Sequence, residues 1–361
     1  MPEAPQGGPG APETLADLGE WGLIDRLARF APPRQFDDDG ALIACPGGAP
    51  GQELVVSTDV LVDGVHFSDR TTAAADVGWR AAMANLSDLA AMGCPSALGL
   101  TVGLVAPPST PWSWVEGVYE GLSQALETSG GMLLGGDCSS GPVRMLAITA
   151  LGRLPRSTEG GAIRRRDGRP GDLLLASGPH GLSRLGLALL GNEAIPGLDR
   201  LEPDERQALE TEAIRAHRRP RGRFDVVEAL AGCRPASLPW RLAGADSSDG
   251  LLAAVSAIAR ASGCGAALSR RQLPLAPAMA KLSQGLDWCL GGGEDFELVL
   301  ALDPTWARAL QDLLPGACLI GTLTGNDAPE GLHWQDDGRA IPPSCTGFSH
   351  FLNASTGSPG R

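Results

Sequence analysis

Aspartates set among small residues recur along this sequence. They are Asp38 and Asp39 ahead of Gly40, Asp59 after Ser57-Thr58, Asp88 in Asn85-Leu86-Ser87-Asp88, Asp137 after Gly135-Gly136, and Asp246 and Asp249 in Asp246-Ser247-Ser248-Asp249-Gly250. Oxygen donors with no His or Cys cluster beside them suit a hard divalent cation, Mg²⁺ rather than Zn²⁺. Carboxylates repel a polyphosphate unless metal ions bridge the two, so the same residues that would hold Mg²⁺ also suit phosphate chemistry. Asp88 follows Val77, Ala81 and Ala84 by 11, 7 and 4 residues, which puts it on their apolar helical stripe. A buried lone carboxylate there requires a partner or a shifted pKa. Each segment also has a plain reading. The acidic run 37–39 can be an exposed turn, Ser57-Thr58-Asp59 a turn cap, Gly135-Gly136-Asp137 a tight turn, and residues 246–250 a helix N-cap.

Other phosphate devices are missing. The sequence has no G-x-x-x-x-G-K-[ST] loop and no G-x-G-x-x-G, and its sole lysine, Lys281, sits in an unremarkable helical context. Forty-two acidic against 29 basic residues, a net charge of −13, argue against a sequence-independent grip on nucleic acid. The eight cysteines are scattered singly, without a C-x-x-C pair, and read as reduced packing residues. No apolar run approaches the ~20 residues of a membrane span, and the first residues lack the basic start and apolar core of a signal peptide. A cytoplasmic enzyme or binding protein is expected.

The elements that would position the aspartates follow from periodicity. Helical spacing over 15–30 ends at Pro32-Pro33, and a β-branched run at 54–56 leads into Ser57-Thr58-Asp59, so carboxylates collect at a strand end. A helix is predicted over 77–92, stopped by Gly93 and Pro95, followed by a strand over 97–105 and a helix over 112–128. Short strands are expected at 132–134 and 143–151, with a basic, turn-rich bridge at 153–170. The alternation then restarts: a strand at 173–176, helices near 183–190, 203–216 and 251–262, a strand at 296–302 and a helix at 304–314. The 361 residues therefore read as an α/β chain of the α+β type with two units, 15–155 and 156–355, between tails at 1–14 and 356–361.

In order and wording these segments resemble the thiamine-monophosphate kinase family, within the aminoimidazole ribonucleotide synthetase-like superfamily. The specific stretches are Ser57-Thr58-Asp59-Val60-Leu61-Val62-Asp63-Gly64-Val65-His66-Phe67 and Asn85-Leu86-Ser87-Asp88-Leu89-Ala90-Ala91-Met92-Gly93. Asp38-Asp39-Gly40-Ala41, Gly135-Gly136-Asp137, Arg165 ahead of Pro170-Gly171-Asp172, Asp246-Ser247-Ser248-Asp249-Gly250, Gly292-Gly293-Glu294-Asp295-Phe296-Glu297 and Gly347-Phe348-Ser349-His350-Phe351 support them. The resemblance implies ATP-dependent, Mg²⁺-assisted phosphorylation of thiamine monophosphate to thiamine diphosphate. It implies metal ligands at Asp38, Ser57, Thr58, Asp59, Asp88, Asp137, Asp246 and Asp249, with Asp38, Asp59, Asp88 and Asp137 central to catalysis. It implies ATP contacts at Gly136, Asp137, Arg165 and Ser248, and acceptor contacts at His66, Glu294 and Phe348. It also implies a homodimer in which a four-stranded amino-terminal sheet pairs with its mate into a barrel. Two departures stand out: Asp37-Asp38-Asp39 replaces Gly-Asp-Asp, leaving the register of the first ligand open by one residue, and Arg221-Gly222-Arg223 replaces a more proline-rich segment after His217. The alternatives are another ATP-using superfamily enzyme with a different small-molecule acceptor, or a non-catalytic nucleotide-binding dimer.

Overall fold

The computed structural model describes residues 14–45, 53–155, 160–325 and 331–342. A helix, α1 (Leu15–Leu27), bends at Gly19, whose φ of 63° breaks the helical run. Strands β1 (Ala41–Ala44) and β2 (Glu53–Val62) pair antiparallel and lead to α2 (Ala74–Ala91). Then come β3 (Ala97–Ala106), α3 (Trp112–Ser129), β4 (Met132–Ser140) and β5 (Met145–Arg153). The sheet order is β1-β2-β5-β3-β4, antiparallel except for the parallel pair β3–β4. Alternation puts Val55, Leu61, Leu100, Val102, Leu146 and Ile148 against Val77, Leu86 and Leu89 of α2 and Val118 and Leu122 of α3. The four long strands correspond to the four-stranded sheet expected, and β1 adds a short fifth.

The second unit contains β6 (Leu173–Ala176), α4 (Leu182–Leu190), α5 (Pro203–Arg218), α6 (Phe224–Cys233), β7 (Leu242–Asp246) and α7 (Leu251–Ala261). It continues with β8 (Gly265–Leu268), α8 (Gly285–Gly291), β9 (Leu298–Leu302), α9 (Pro304–Leu313), β10 (Cys318–Thr324) and β11 (Leu332–Trp334). Its sheet runs β11-β8-β10-β6-β9-β7, antiparallel except at β11–β8. Helix α2 belongs to both units. Its Val77, Leu86 and Leu89 enter the first core, while Ala90 and Ala91 pack with Leu175, Val226, Leu242 and Leu298 of the second.

Two expectations need adjustment. Gly135-Gly136-Asp137, read as the turn after a short strand, runs on as extended chain to Ser140. Parallel pairing with β3 draws it out, and Gly136 permits it, since a Cβ there would lie 1.9 Å from the Val102 carbonyl oxygen. The strand expected at 296–302 begins only at Leu298, because Phe296 takes a left-handed φ of 52°.

Helices α2 and α3 touch backbone to backbone at two glycines. A Cβ on Gly78 would sit 1.9 Å from the Val118 carbonyl oxygen, and one on Gly121 1.9 Å from that of Ala75. Gly78→Ala is therefore expected to cost about 1–3 kcal/mol by forcing the helices apart, despite alanine's better helix propensity. Urea denaturation checks this, and an unchanged or raised midpoint would contradict it.

Candidate active site

The aspartates converge where the two units meet. Carboxylate oxygens of Asp39, Asp88 and Asp246 lie within 4.8 Å of one another. Each comes from a different element: Asp39 from the turn before β1, Asp88 from the core-facing side of α2, Asp246 from the last residue of β7. Hydroxyls orient them. Ser57 donates to Asp88, Ser87 donates to Asp246 Oδ2 at 2.8 Å, and Ser248 donates to Asp246 Oδ1 at 2.8 Å. Asp59 lies on the same face of β2 as Ser57, its backbone N–H donating to Asn85 Oδ1 at 3.0 Å. The sequence reading placed the first ligand at Asp38, with the register open by one residue. It is Asp39 that enters the cluster, while Asp38 accepts the Arg165 backbone N–H at 2.9 Å.

Charge at this junction is poorly balanced. Arg165 pairs with Asp39, whose side chain is 3% exposed, and this is the one cation bonded to the cluster among the described residues. Burial, opposed by Arg165 and reinforced by Asp246, pushes Asp39 up to about 6. Burial and then the Asp39 charge push Asp59 up to about 6; burial and then Asp246 push Asp249 up to about 7. Asp88 is raised well above the usual carboxylate range by burial and by Asp59, Asp246 and Asp39. Oxygen-only donors whose negative charge one guanidinium does not balance fit a hard divalent cation such as Mg²⁺.

A second polar group lies along the same helix. Arg80 of α2, 2% exposed, contacts Glu294 Oε1 through Nη2 at 2.7 Å. Its Nη1 donates to the His217 carbonyl at 2.5 Å and lies 3.2 Å from His217 Nδ1, which is also 3.2 Å from Ser183 Oγ. Burial and then Arg80 hold His217 down at about 3, so its ring is neutral and its Nδ1 is an acceptor. Burial alone would push Glu294 up; the Arg80 charge and hydrogen bond more than offset this and leave it lowered. His66 sits in a tight turn after β2, where its Nδ1 accepts the Val62 N–H at 3.0 Å. Asp63 anchors the same turn through Arg144 at 2.6 Å.

Not every expected residue joins the cluster. Thr58 and Asp137 occupy the other face of the first sheet. Asp137 is opposite Gly103, Gly103 opposite Ala147, and Ala147 opposite Val60, so Asp137 shares a face with Val60 and Thr58. The Thr58 hydroxyl meets that of Thr149 at 2.9 Å, away from the cluster. Gly136 lies in the row of Asp59 but three strands away, about 14 Å at ~4.8 Å per strand. Phe348 lies outside the described residues.

The sequence matches the family described as AIR synthase related protein, N-terminal domain, over residues 37–154. A thiamine-monophosphate kinase of Prochlorococcus marinus is 44% identical over 340 residues, covering 94% of this chain and 98% of the relative. One of Synechococcus elongatus is 45% identical over the same share of each chain. The solved structure of AaThiL complexed with AMPPCP and TMP matches with a TM-score of 0.78 at 29% identity, over 94% of this chain and 100% of that one. The chain belongs to the thiamine-monophosphate kinase family.

Four residues of this thiamine-monophosphate kinase family site escaped the sequence reading: Arg80, Ser87, Asn85 and His217. Arg80 had a signal, since it lies among Val77, Ala81 and Ala84 on the stripe that carries Asp88, and a cation on an apolar stripe needs a partner. Ser87 and Asn85 stood inside the quoted segment without a role. The partners of His217 are remote in sequence, so nothing local pointed to it.

The raised carboxyls make a signed prediction. From the unfolded value near 3.8, their folded pKa values rise to about 6 for Asp39 and Asp59 and about 7 for Asp249. Between those limits the folded state binds more protons, so the cluster's contribution to stability is complete at low pH and is lost as pH rises through about 6 to 7. Mg²⁺ should offset that loss. The Tm difference between Mg²⁺ and chelator is expected to widen with pH across this window, and a difference that narrows would contradict a carboxylate metal site.

Proposed function

We propose that the chain transfers the γ-phosphoryl group of ATP directly to thiamine monophosphate, giving thiamine diphosphate and ADP. One observation carries the reading. A single face of α2 bonds the carboxylate cluster through Ser87 and Glu294 through Arg80, seven residues or about 10 Å apart. An acceptor with a cationic heteroaromatic end and a phosphate end spans two such points. The family relationship supports this, and so does the AaThiL neighbour, whose ligands are AMPPCP and TMP.

In this reading Asp39, Asp59, Asp88, Asp246 and Asp249 hold Mg²⁺, with Ser57 fixing Asp88, Thr58 contributing through its carbonyl, and Asp38 ordering Arg165. When bound there, Mg²⁺ would supply charge neutralisation for the phosphate oxygens. Arg165 and Ser248 face the ATP phosphates beside the cluster. Gly136 and Asp137 of β4 belong to the nucleotide contacts on the strength of the family resemblance, as Phe348 belongs to the acceptor. His66 and ionised Glu294 receive the amino-pyrimidine and the positive charge of the acceptor. No general base is needed, because an acceptor phosphate is largely ionised near neutral pH.

The proposed assembly is a homodimer closed along β4. Every residue of that edge strand is exposed, Met132 by 63%, and its outer edge pairs with no strand among the described residues. Such an edge is a template for another chain, and pairing with its twofold mate makes the barrel. The limits 15–155 and 156–355 are kept as two domains, since no strand pairing joins the two sheets among the described residues. A cytoplasmic location, where ATP and Mg²⁺ are supplied, completes the reading; no described helix is long and apolar enough to cross a membrane.

Purified protein with ATP, Mg²⁺ and thiamine monophosphate is expected to release ADP and thiamine diphosphate in equal amounts. ATP turnover with a different acceptor alone would reject the substrate, and no turnover with any would favour a binding protein. Asp88→Asn should lower kcat by at least ~100-fold with little change in Tm in chelator, since it removes a charge while nearly keeping volume. Near-normal turnover of that variant at limiting Mg²⁺ would rule out the metal role.

A further inference from the structure

Arg80 is an expensive residue to bury. Its guanidinium is 2% exposed, and its Nε has no hydrogen-bond partner, so the contacts fall to the two Nη groups. One Nη is spent on the α5 end, on the carbonyl and ring of His217; the other is aimed at Glu294. His217 is neutral and accepts from Arg80, and Ser183 at the start of α4 lies against the same ring nitrogen. The guanidinium plane is thereby fixed by two helices before it meets the carboxylate.

Glu294 needs such a partner. Its φ is 57°, after Gly293 at 67° and two residues before Phe296 at 52°, left-handed values that L residues rarely hold. The backbone is fixed by the Glu294 N–H donating to the Ser248 carbonyl at 2.7 Å. The side chain, at 36% exposure, is the more open half of the pair and has room to meet a ligand. A buried guanidinium holding a half-open carboxylate in a strained loop resembles a support, with the carboxylate as the working surface.

We infer that Arg80 is the positioning residue of the acceptor subsite: clamped by His217, it holds the Glu294 carboxylate that receives the cationic end of the acceptor. This rests on the acceptor reading given above. It also ties the two ends of the substrate to one rigid rod, because Arg80 and Ser87 stand on one face of α2 while Asp88 follows in the next position. An anchor placed by the same helix as the metal carboxylates keeps the acceptor phosphate at a constant distance from them.

The test is a double-mutant cycle on the full chain, read as KM for thiamine monophosphate, KM for ATP and kcat. Arg80→Met is expected to raise the acceptor KM about tenfold or more while the ATP KM stays within about twofold. Arg80→Lys keeps charge and bulk but loses the fork, so it should fold as wild type and show a smaller rise of the same kind. In a Glu294→Gln background, Arg80→Met should add little to the acceptor KM. Full additivity of the two substitutions, or an equal rise in both KM values for Arg80→Lys, would overturn the inference while leaving the reaction in place. A wild-type chain that turns over ATP but not thiamine monophosphate would overturn the acceptor reading and this inference with it.

Discussion

Everything in the active-site region answers to one electrostatic constraint: carboxylates from four separate elements are buried within mutual reach, with one bonded guanidinium among them. In water such repulsion is weak, but burial at a junction removes the solvent that would screen it. The fold tolerates the arrangement because hydroxyls rather than cations satisfy most of the oxygens. Ser57, Ser87 and Ser248 each donate to one carboxylate, orienting it without cancelling its charge. Negative charge is thus left uncompensated at the point where a divalent ion and a polyphosphate would meet. A site built for stability would have drawn in arginines, of which this chain has many.

Helix α2 is the element through which that constraint reaches the rest of the molecule. Its Gly78 allows α3 to approach to backbone contact, fixing its position on the first sheet, and its Ala90 and Ala91 enter the core of the second unit. Between these ends its polar residues face the junction. The helix is therefore held by close packing on both sides, and Asp88 and Arg80 inherit that rigidity. Small residues are the means: Gly and Ala let the backbones approach so closely that neither unit can shift without opening a void.

The sequence revealed the carboxylates and most of the elements but not how they converge. Asp88 was legible because a helical stripe has a fixed period, so a charge at intervals of 4, 7 and 11 from apolar neighbours announces itself. The choice between Asp38 and Asp39 was not, since neighbouring residues in a turn obey no period; it is decided by the Arg165 backbone N–H, which takes Asp38, and by the Arg165 guanidinium, which takes Asp39. The opposite-face placement of Thr58 follows from strand alternation, since Thr58 lies between Ser57 and Asp59 on one strand. Asp137 could not be read this way, because its face depends on pairing across three strands. Strands β7, β8 and β11 left no clear signal, since each is at most five residues long and mostly buried, and buried strands lack alternation; the longer β10 also went unread.

The loop that presents Glu294 shows how the second unit carries the cost of a strained site. Left-handed φ angles at Glu294 and Phe296 cost of order 1–3 kcal/mol each and need outside support. The flanking carboxylates supply it. Asp295 accepts the N–H groups of Gly181 and Ser183 at 2.6 and 2.9 Å, docking the loop onto the start of α4. Glu297 is bonded by Ser177 Oγ at 2.5 Å and by Arg223, which also reaches the Ser177 carbonyl at 3.0 Å and chelates Asp225. That arginine comes from the Arg221-Gly222-Arg223 segment, the stretch where this chain departs from the more proline-rich family wording. The departure therefore falls on the scaffold of the Glu294 loop and leaves the carboxylate cluster untouched.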